Sequence, residues 1–202
     1  MTQKERMLAG LPYKAWLDGL DEERLNCKRK IYEFNLLSPD EQKLVPQKLK
    51  EIFGRTGDTL FVEAPFHCDY GWNIEVGNNF FANYNLTILD VGKVTIGENV
   101  QIAPNVSIYT AGHPVHPAGR NSGYEYGIPI SIGDNVWIGG NSVILPGVTI
   151  GSNVVIGAGS VVTKDIPDWH IAAGNPCRVI RRITDDDRTY YFKDRAFDVN
   201  DF

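Results

Sequence analysis

The sequence predicts a mainly β chain, wound as a parallel β-helix behind a short helical segment, and three observations lead there. The first is a six-residue repeat. Written in sixes, residues 132–167 read IGDNVW, IGGNSV, ILPGVT, IGSNVV, IGAGSV and VTKDIP. Every block opens with Ile or Val, at Ile132, Ile138, Ile144, Ile150, Ile156 and Val162. The fifth place holds Val136, Ser142, Val148, Val154, Ser160 and Ile166. A period of six fits neither an α-helix nor a plain alternating strand; it suits a short strand plus a bend, repeated, and is a mark of β-helices. The second observation is an interruption that keeps register. Ile108 and Ile132 are 24 residues apart, a multiple of six, so residues 109–131 read as a loop thrown out of the coil. The third is a change of pattern: residues 1–53 set charges around Leu17, Leu20, Leu25, Ile31 and Phe34, which reads as helical.

Three blocks would make one triangular coil. The Ile and Val at position one then point inward and stack in ladders at the spacing of neighbouring strands, roughly 4.8 Å. Gly and Asn recur at the bends because they tolerate the positive φ of tight corners.

Along the chain, residues 1–56 form the expected helical cap. Ser38-Pro39-Asp40-Glu41 is a helix start, with Ser38 as N-cap, Pro39 at the first helical position and Glu41 completing a capping box. The helix that follows carries Leu44, Leu49, Ile52 and Phe53, and Gly54 ends it. Residues 57–183 form the coil. Val76, Ala82 and Ile88 fall in sixes, the phase slips by two before Ile96, and IGENVQ, IAPNVS and Ile108 continue it. A repeat coil needs capped ends, which the helical segment can supply at one of them. Residues 184–202 are a polar tail with aromatic anchors at Tyr190, Tyr191 and Phe192, expected to pack on a neighbour or on the coil.

The chain of 202 residues has room for one domain and an appendage. Its net charge of −5 leaves no basic excess for a nucleic-acid partner. MTQKERMLAGLPYKAW has no long apolar core of a signal peptide, and no apolar run approaches membrane-spanning length. The three cysteines, Cys27, Cys68 and Cys177, are odd in number and far apart, which points to free thiols and a cytoplasmic setting.

Loops of the length of 109–131 are uncommon in compact domains and are usually functional. This one carries His113 and His116. A histidine is the side chain whose ordinary pKa suits proton transfer near neutral pH. Glu125, in SGYEYG, can fix the tautomer of a neighbouring imidazole, bind substrate hydroxyls, or stand as a solvated loop charge. Lys164, Arg178 and Arg181 are cations at the end of the coil, suited to phosphates.

Four stretches carry a family resemblance: CDYGWNIEVGNNFFANYNLTILD, TAGHPVHPAGRNSGYEYGIPI, IGDNVWIGGNSVILPGVTIG and GAGSVVTKDIPDWHIAAGNPCRVIRRI. Through them nearly the whole chain resembles the hexapeptide-repeat acyltransferases, specifically the galactoside and maltose O-acetyltransferases. The resemblance implies a left-handed parallel β-helix with an extruded catalytic loop, and a homotrimer with active sites between subunits. It implies acetyl transfer from acetyl-CoA to a sugar hydroxyl, the 6-hydroxyl of maltose, glucose or a galactoside, by direct attack with His113 as general base. Asn83 matches the family's active-site Asn, and Asp69 a substrate-contacting position. Trp137, Gly140, Ala158, Thr163, Lys164, Arg178 and Arg181 match the acetyl-CoA groove; Gly140 N–H is also a candidate oxyanion donor.

Galactoside-type enzymes carry Asp where this chain has Ala15 and Val91, and Met where it has Glu125, so the departures favour a maltose or glucose acceptor. The four histidines do not have the spacing of the zinc-binding β-helical carbonic anhydrases, so no metal is expected and His116 reads as a loop-stabilising residue. Two other readings stand beside this one. Antibiotic- or serine-acetylating relatives share the fold, but the antibiotic-modifying ones lack this helical segment and a YYFKD-like tail. A non-catalytic sugar-binding scaffold would not need His113, Asn83, Lys164 and Arg178 together.

Overall fold

The computed structural model describes residues 1–199; the last three residues of the expected tail lie outside the described residues. From about residue 60 the chain winds as a parallel coil with three faces. The first face stacks Leu60–Val62, Phe80–Ala82, Gln101–Ile102, Trp137–Ile138, Val155–Ile156 and His170–Ala173. The second stacks Phe66–Cys68, Leu86–Leu89, Ser107–Tyr109, Val143–Ile144 and Val161–Val162. The third stacks Ile74–Val76, Val94–Ile96, Ile130–Ile132 and Thr149–Ile150.

The repeat dictates this winding. Ile132, Ile138, Ile144, Ile150, Ile156 and Val162 are all buried, as are the fifth-place residues Val136, Ser142, Val148, Val154, Ser160 and Ile166. Burying one such Ile or Val is worth about 1.5–3 kcal/mol, and here the gain recurs on every face. The inward serines satisfy their hydroxyls locally: Ser142 Oγ donates to Gly139 O at 2.7 Å and Ser160 Oγ to Gly157 O. Between the third and first faces the corner residues Asn79, Asn99, Asn135 and Asn153 hold φ near +55° to +58°. Their side chains link coil to coil, at 2.9 Å (Asn79 to Asn99), 3.1 Å (Asn99 to Asn135) and 2.9 Å (Asn135 to Asn153).

The slip of phase has a place in space. Ile132 pairs with Ile150 and Ile138 with Ile156, so these coils contain 18 residues. Leu60 pairs with Phe80 and Ile74 with Val94, so the early coils contain 20. The two extra residues lie at the corner between the second and third faces, and the loop 109–131 leaves the coil at the same corner. At the far end the winding tightens: Ile150 bridges Ile166, two residues earlier than a strict block predicts. Arg178–Arg182 then returns antiparallel to His170–Ala173 and finishes the first face.

The N-terminal segment is less helical than expected. Helices α1 (Gln3–Leu8), α2 (Leu20–Asn35) and α3 (Val45–Ile52) form, with a 3₁₀ turn at Pro39–Leu44. Glu41 accepts from Ser38 N–H at 2.9 Å, as the capping box requires. Residues 9–19 instead run as an irregular arm, because Gly10, Asp18 and Gly19 take positive φ and Pro12 lies between them. Phe53, not Gly54, turns out of α3. Gly54 is needed for another reason: a Cβ there would meet the Trp72 carbonyl oxygen at 2.1 Å.

Helices α2 and α3 cover the open end of the coil. Phe66 of the first coil meets Phe34 and Phe53 edge-on, with ring centroids at 6.4 and 5.6 Å. Asn35 bonds both backbone groups of Phe66, at 2.9 and 2.8 Å. An exposed strand edge is thereby removed. Cys27 of α2 and Cys68 of the first coil lie 3.6 Å apart as buried thiols. At the other end, the tail forms a hairpin of Tyr190–Phe192 with Arg195–Ala196. Its Tyr190, Tyr191 and Phe192 stay more than half exposed instead of packing on this chain's coil. None of the described helices is long and apolar enough to cross a membrane.

The corner that carries the loop holds a buried polar stack. Asp90 Oδ1 accepts from the N–H of Asp69 and of Tyr70, both at 2.9 Å, and Asn73 Nδ2 donates to Asp90 O at 2.7 Å. Asp90 Oδ2 has no hydrogen-bond partner among the described residues. Burial pushes the Asp90 carboxyl up to about 6, against the pull of those two N–H groups. Its folded pKa therefore lies above its unfolded one, so the proton it holds favours the fold below about pH 4. That contribution is lost as pH rises through about 6. Asp90→Asn, which keeps the acceptor oxygen, is expected to be more stable than the parent chain at pH 8 by about 3 kcal/mol. The gap should close between pH 6 and 4, as read by urea melts across that range.

Candidate active site

The loop 109–131 is built, not loose. Ala111–Gly112 pairs antiparallel with Tyr126–Gly127, and a short helix, α4 (Pro117–Asn121), stands between them. His116 caps α4 by accepting the Ala118 N–H on Nδ1 at 3.2 Å, the stabilising role expected for it. His113 follows the first of the paired strands and is half exposed. Its Nδ1 lies 3.5 Å from the Tyr124 carbonyl oxygen, an acceptor only. The tautomer that can bond this carbonyl carries its proton on Nδ1 and keeps the lone pair on Nε2. Nε2 in turn lies 4.0 Å from Glu125 Oε2.

Glu125 is largely buried because the N-terminal arm lies across it. Tyr13 and Glu125 exchange backbone hydrogen bonds at 2.9 and 3.0 Å, and Tyr13 Oη donates to Glu125 Oε1 at 2.5 Å. Asp69 is the second carboxylate here. Burial raises its carboxyl, Arg24 pulls it down, and the charge of Glu125 pushes it up again. Asp69 also borders a groove lined by Lys28, Tyr32, Asn35, His67 and Leu89. Ala15 and Val91 are buried in one cluster with Met7, Tyr13, Leu20 and Tyr70, so an apolar layer underlies these carboxylates.

The other residues singled out from the sequence fall elsewhere. Asn83 follows Ala82 at the corner between the first and second faces. Its Oδ1 accepts the Tyr84 N–H at 2.8 Å, which leaves its amide N–H groups free to donate outward. Gly140 and Ala158 stand at the same corner two and three coils further on; Gly140 O accepts from Gly159 N–H at 2.8 Å. Trp137 projects from the first face, about half exposed, beside Asn99, Gln101 and Asn135. Thr163 and Lys164 lie exposed at the loop's corner, two coils beyond His113. Arg178 and Arg181 sit on the returning strand. Among the described residues the Arg178 side chain bonds only the carbonyl of Cys177, at 2.8 Å, whereas Arg181 is held in a fork by Asp187 at 2.6 and 2.8 Å.

Within one chain the fold therefore unites His113, Glu125 and Asp69 but leaves Asn83, Gly140 and Ala158 across the width of the second face. The residues that sequence reasoning passed over are Tyr13, Tyr124 and Asp90. Asp90 stands where the phase slips, a signal that could have marked it. Tyr13 lies 112 residues from its partner, and nothing local announced it. Among the described residues, no group of three or more His, Cys, Asp or Glu side chains could hold a metal ion.

Comparison with known proteins places this arrangement. Residues 129–164 match the family model described as bacterial transferase hexapeptide (six repeats), and residues 6–57 the maltose acetyltransferase hexapeptide capping motif. The galactoside O-acetyltransferase of Escherichia coli (strain K12) is 54% identical over 194 residues, covering 96% of both chains. A solved maltose O-acetyltransferase from Clostridium difficile 630 superposes with a TM-score of 0.90 at 56% identity, over 92% of this chain and 99% of that one. A galactoside acetyltransferase solved in complex with coenzyme A gives 0.95 at 52% identity, over 98% of this chain and 100% of that one. Identity at this level does not separate the two acceptor classes. The chain belongs to the hexapeptide-repeat acetyltransferases, in the group whose helical N-terminus is the maltose acetyltransferase capping motif.

Proposed function

We propose that this protein moves the acetyl group of acetyl-CoA to a hydroxyl of a sugar, the 6-hydroxyl of maltose, glucose or a galactoside, with His113 as general base. The observation that carries the reading is the placement of the imidazole: Nδ1 faces the Tyr124 carbonyl at 3.5 Å, and Nε2 opens toward the space beside Glu125. A sugar hydroxyl placed there gives its proton to Nε2 as its oxygen attacks the thioester carbonyl. The tetrahedral adduct collapses, the carbon–sulfur bond breaks, and the imidazolium returns the proton to the departing thiolate. No acetyl-enzyme is required.

With Nδ1 already occupied, Glu125 is not the group that orients His113. It lies on the acceptor side, where with Asp69 it can accept hydrogen bonds from sugar hydroxyls. It also stabilises the imidazolium that forms. A pocket with two carboxylates over an apolar layer suits a polyol better than an aromatic antibiotic.

The cosubstrate assignment rests on the relatives solved with coenzyme A and on fit. Lys164 is exposed without a hydrogen-bond or ion-pair partner among the described residues, and Arg178 bonds only its neighbour's carbonyl. Both can receive phosphate oxygens. Arg181 would have to leave Asp187 to do the same. Gly140 N–H has no backbone partner among the described residues, and together with the Asn83 amide it can face the developing oxyanion. Thr163, Ala158 and Trp137 border the remaining path.

Asn83 and Gly140 can meet His113 only if the first corner of one copy lies against the loop corner of another. A head-to-tail contact of that kind closes into a ring, and three copies of a triangular coil form a homotrimer with a site at each contact. The buried thiols and the need for coenzyme A support a cytoplasmic setting.

The test is thiol release from acetyl-CoA against glucose, maltose, a thiogalactoside, serine and chloramphenicol. Release is expected with glucose or maltose above the others. A preference for serine or chloramphenicol would overturn the acceptor assignment, and absence of coenzyme A binding would overturn the enzyme. In the same assay His113→Ala is expected to lose about 10²–10⁴-fold in turnover. Its circular dichroism and sedimentation should match the parent's, since the side chain is exposed and caps nothing. Unchanged turnover would remove His113 from the mechanism.

A further inference from the structure

We propose that Tyr13, on the N-terminal arm, is a positioning residue for acceptor binding: its hydroxyl fixes Glu125 in the rotamer that turns Oε2 toward His113. The proposal rests on the acceptor reading of Glu125 given above.

Three contacts bring the arm to the loop. Tyr13 and Glu125 bond through both backbone groups as an isolated antiparallel bridge. Trp16 packs against Gly123, so closely that a Cβ on Gly123 would meet the indole at 2.1 Å. Lys14 Nζ lies over the Tyr124 ring, 5.1 Å from its centre. These contacts dock the arm, and none of them needs the Tyr13 hydroxyl.

The hydroxyl does something separate. The Tyr13 ring has no exposed surface and shares its cluster with Met7, Ala15, Leu20, Tyr70 and Val91. For packing alone, Phe would serve as well. A buried hydroxyl needs a partner, and here the partner is one oxygen of the carboxylate that faces the catalytic histidine. Burial, with the hydrogen bond to Glu125 and its charge, pushes the phenol far above its ordinary value, so it stays a donor at every working pH.

Glu has three side-chain torsions, and one tethered oxygen removes most of that freedom before the acceptor arrives. Oε1 is occupied by Tyr13, so Oε2 is the oxygen left for a sugar hydroxyl and for the imidazolium. The arm is thus part of the acceptor site, although it lies more than a hundred residues from the loop in sequence.

The experiment is a double-mutant cycle on the whole chain with Tyr13→Phe, Glu125→Ala and the pair, using acetyl-CoA and the best sugar of the panel. Tyr13→Phe is expected to lower kcat/KM for the sugar about tenfold, the scale of a lost hydrogen bond to a charged group, with the KM for acetyl-CoA unchanged. Glu125→Ala should lose at least as much. The pair should lose no more than Glu125→Ala alone, because the alanine already leaves the Tyr13 hydroxyl nothing to hold. A structural role for the hydroxyl would lower melting temperature and multiply the two losses. Multiplied losses, or a Tyr13→Phe enzyme within about twofold of the parent, overturn the proposal. A parent chain that acetylates no sugar overturns the acceptor reading on which it rests.

Discussion

The inward ladder governs where everything else in this chain can go. Each six-residue block commits its first and fifth residues to the interior, and those at Ile132 through Ile166 are buried. The remaining positions are delivered to a face or to a corner. Stacking is fixed coil on coil by strand pairing, so a residue's corner is set by arithmetic, and functional groups are sorted before any ligand is considered. The corner between the third and first faces was filled with asparagines that bond to one another. The corner between the second and third faces absorbed two extra residues per coil and then the whole loop.

Sorting by corners explains why the proposed site residues fall at two separate corners of one chain. Ala82 and Cys68 are both inward residues at the end of a strand, but on different faces. Asn83 and Asp69, which follow them, are thereby sent to different corners. The coil is too stiff to bring the two together. On the proposed reading, chemistry that uses both groups brings a second copy alongside. The cap serves the same geometry twice. Helices α2 and α3 seal the open strand edge, and the arm before α2 crosses to the loop and buries Glu125.

What could be read in the sequence was what repeats. The coil from Ile132 to Val162 was legible because the same demand recurs every six residues, and the loop's return was legible because 24 is a multiple of six. The early coils were harder, since their two-residue insertions break the phase at each pass. The last block misled slightly: its fifth place, Ile166, does turn inward, but two residues ahead of schedule. The helical reading of residues 1–53 overlooked Gly10, Pro12 and the Asp18-Gly19 pair, whose backbone requirements break the arm away from helix. His113 was visible through its place in the loop. The state of its ring was not, because the partner of Nδ1 is a backbone carbonyl, which every residue carries. The Asp187 fork on Arg181 was also invisible, although only six residues separate the two.

On the proposed reading, a working site takes His113 from one copy and Asn83 from another. The most direct test is to co-express His113→Ala and Asn83→Ala chains, each inactive alone, and to measure thiol release from the mixed assembly. In a closed ring of three, random mixing puts an intact His113 against an intact Asn83 in about a quarter of the contacts. Activity near that fraction of the parent's is expected. Mixed assemblies as inactive as either variant alone would contradict it.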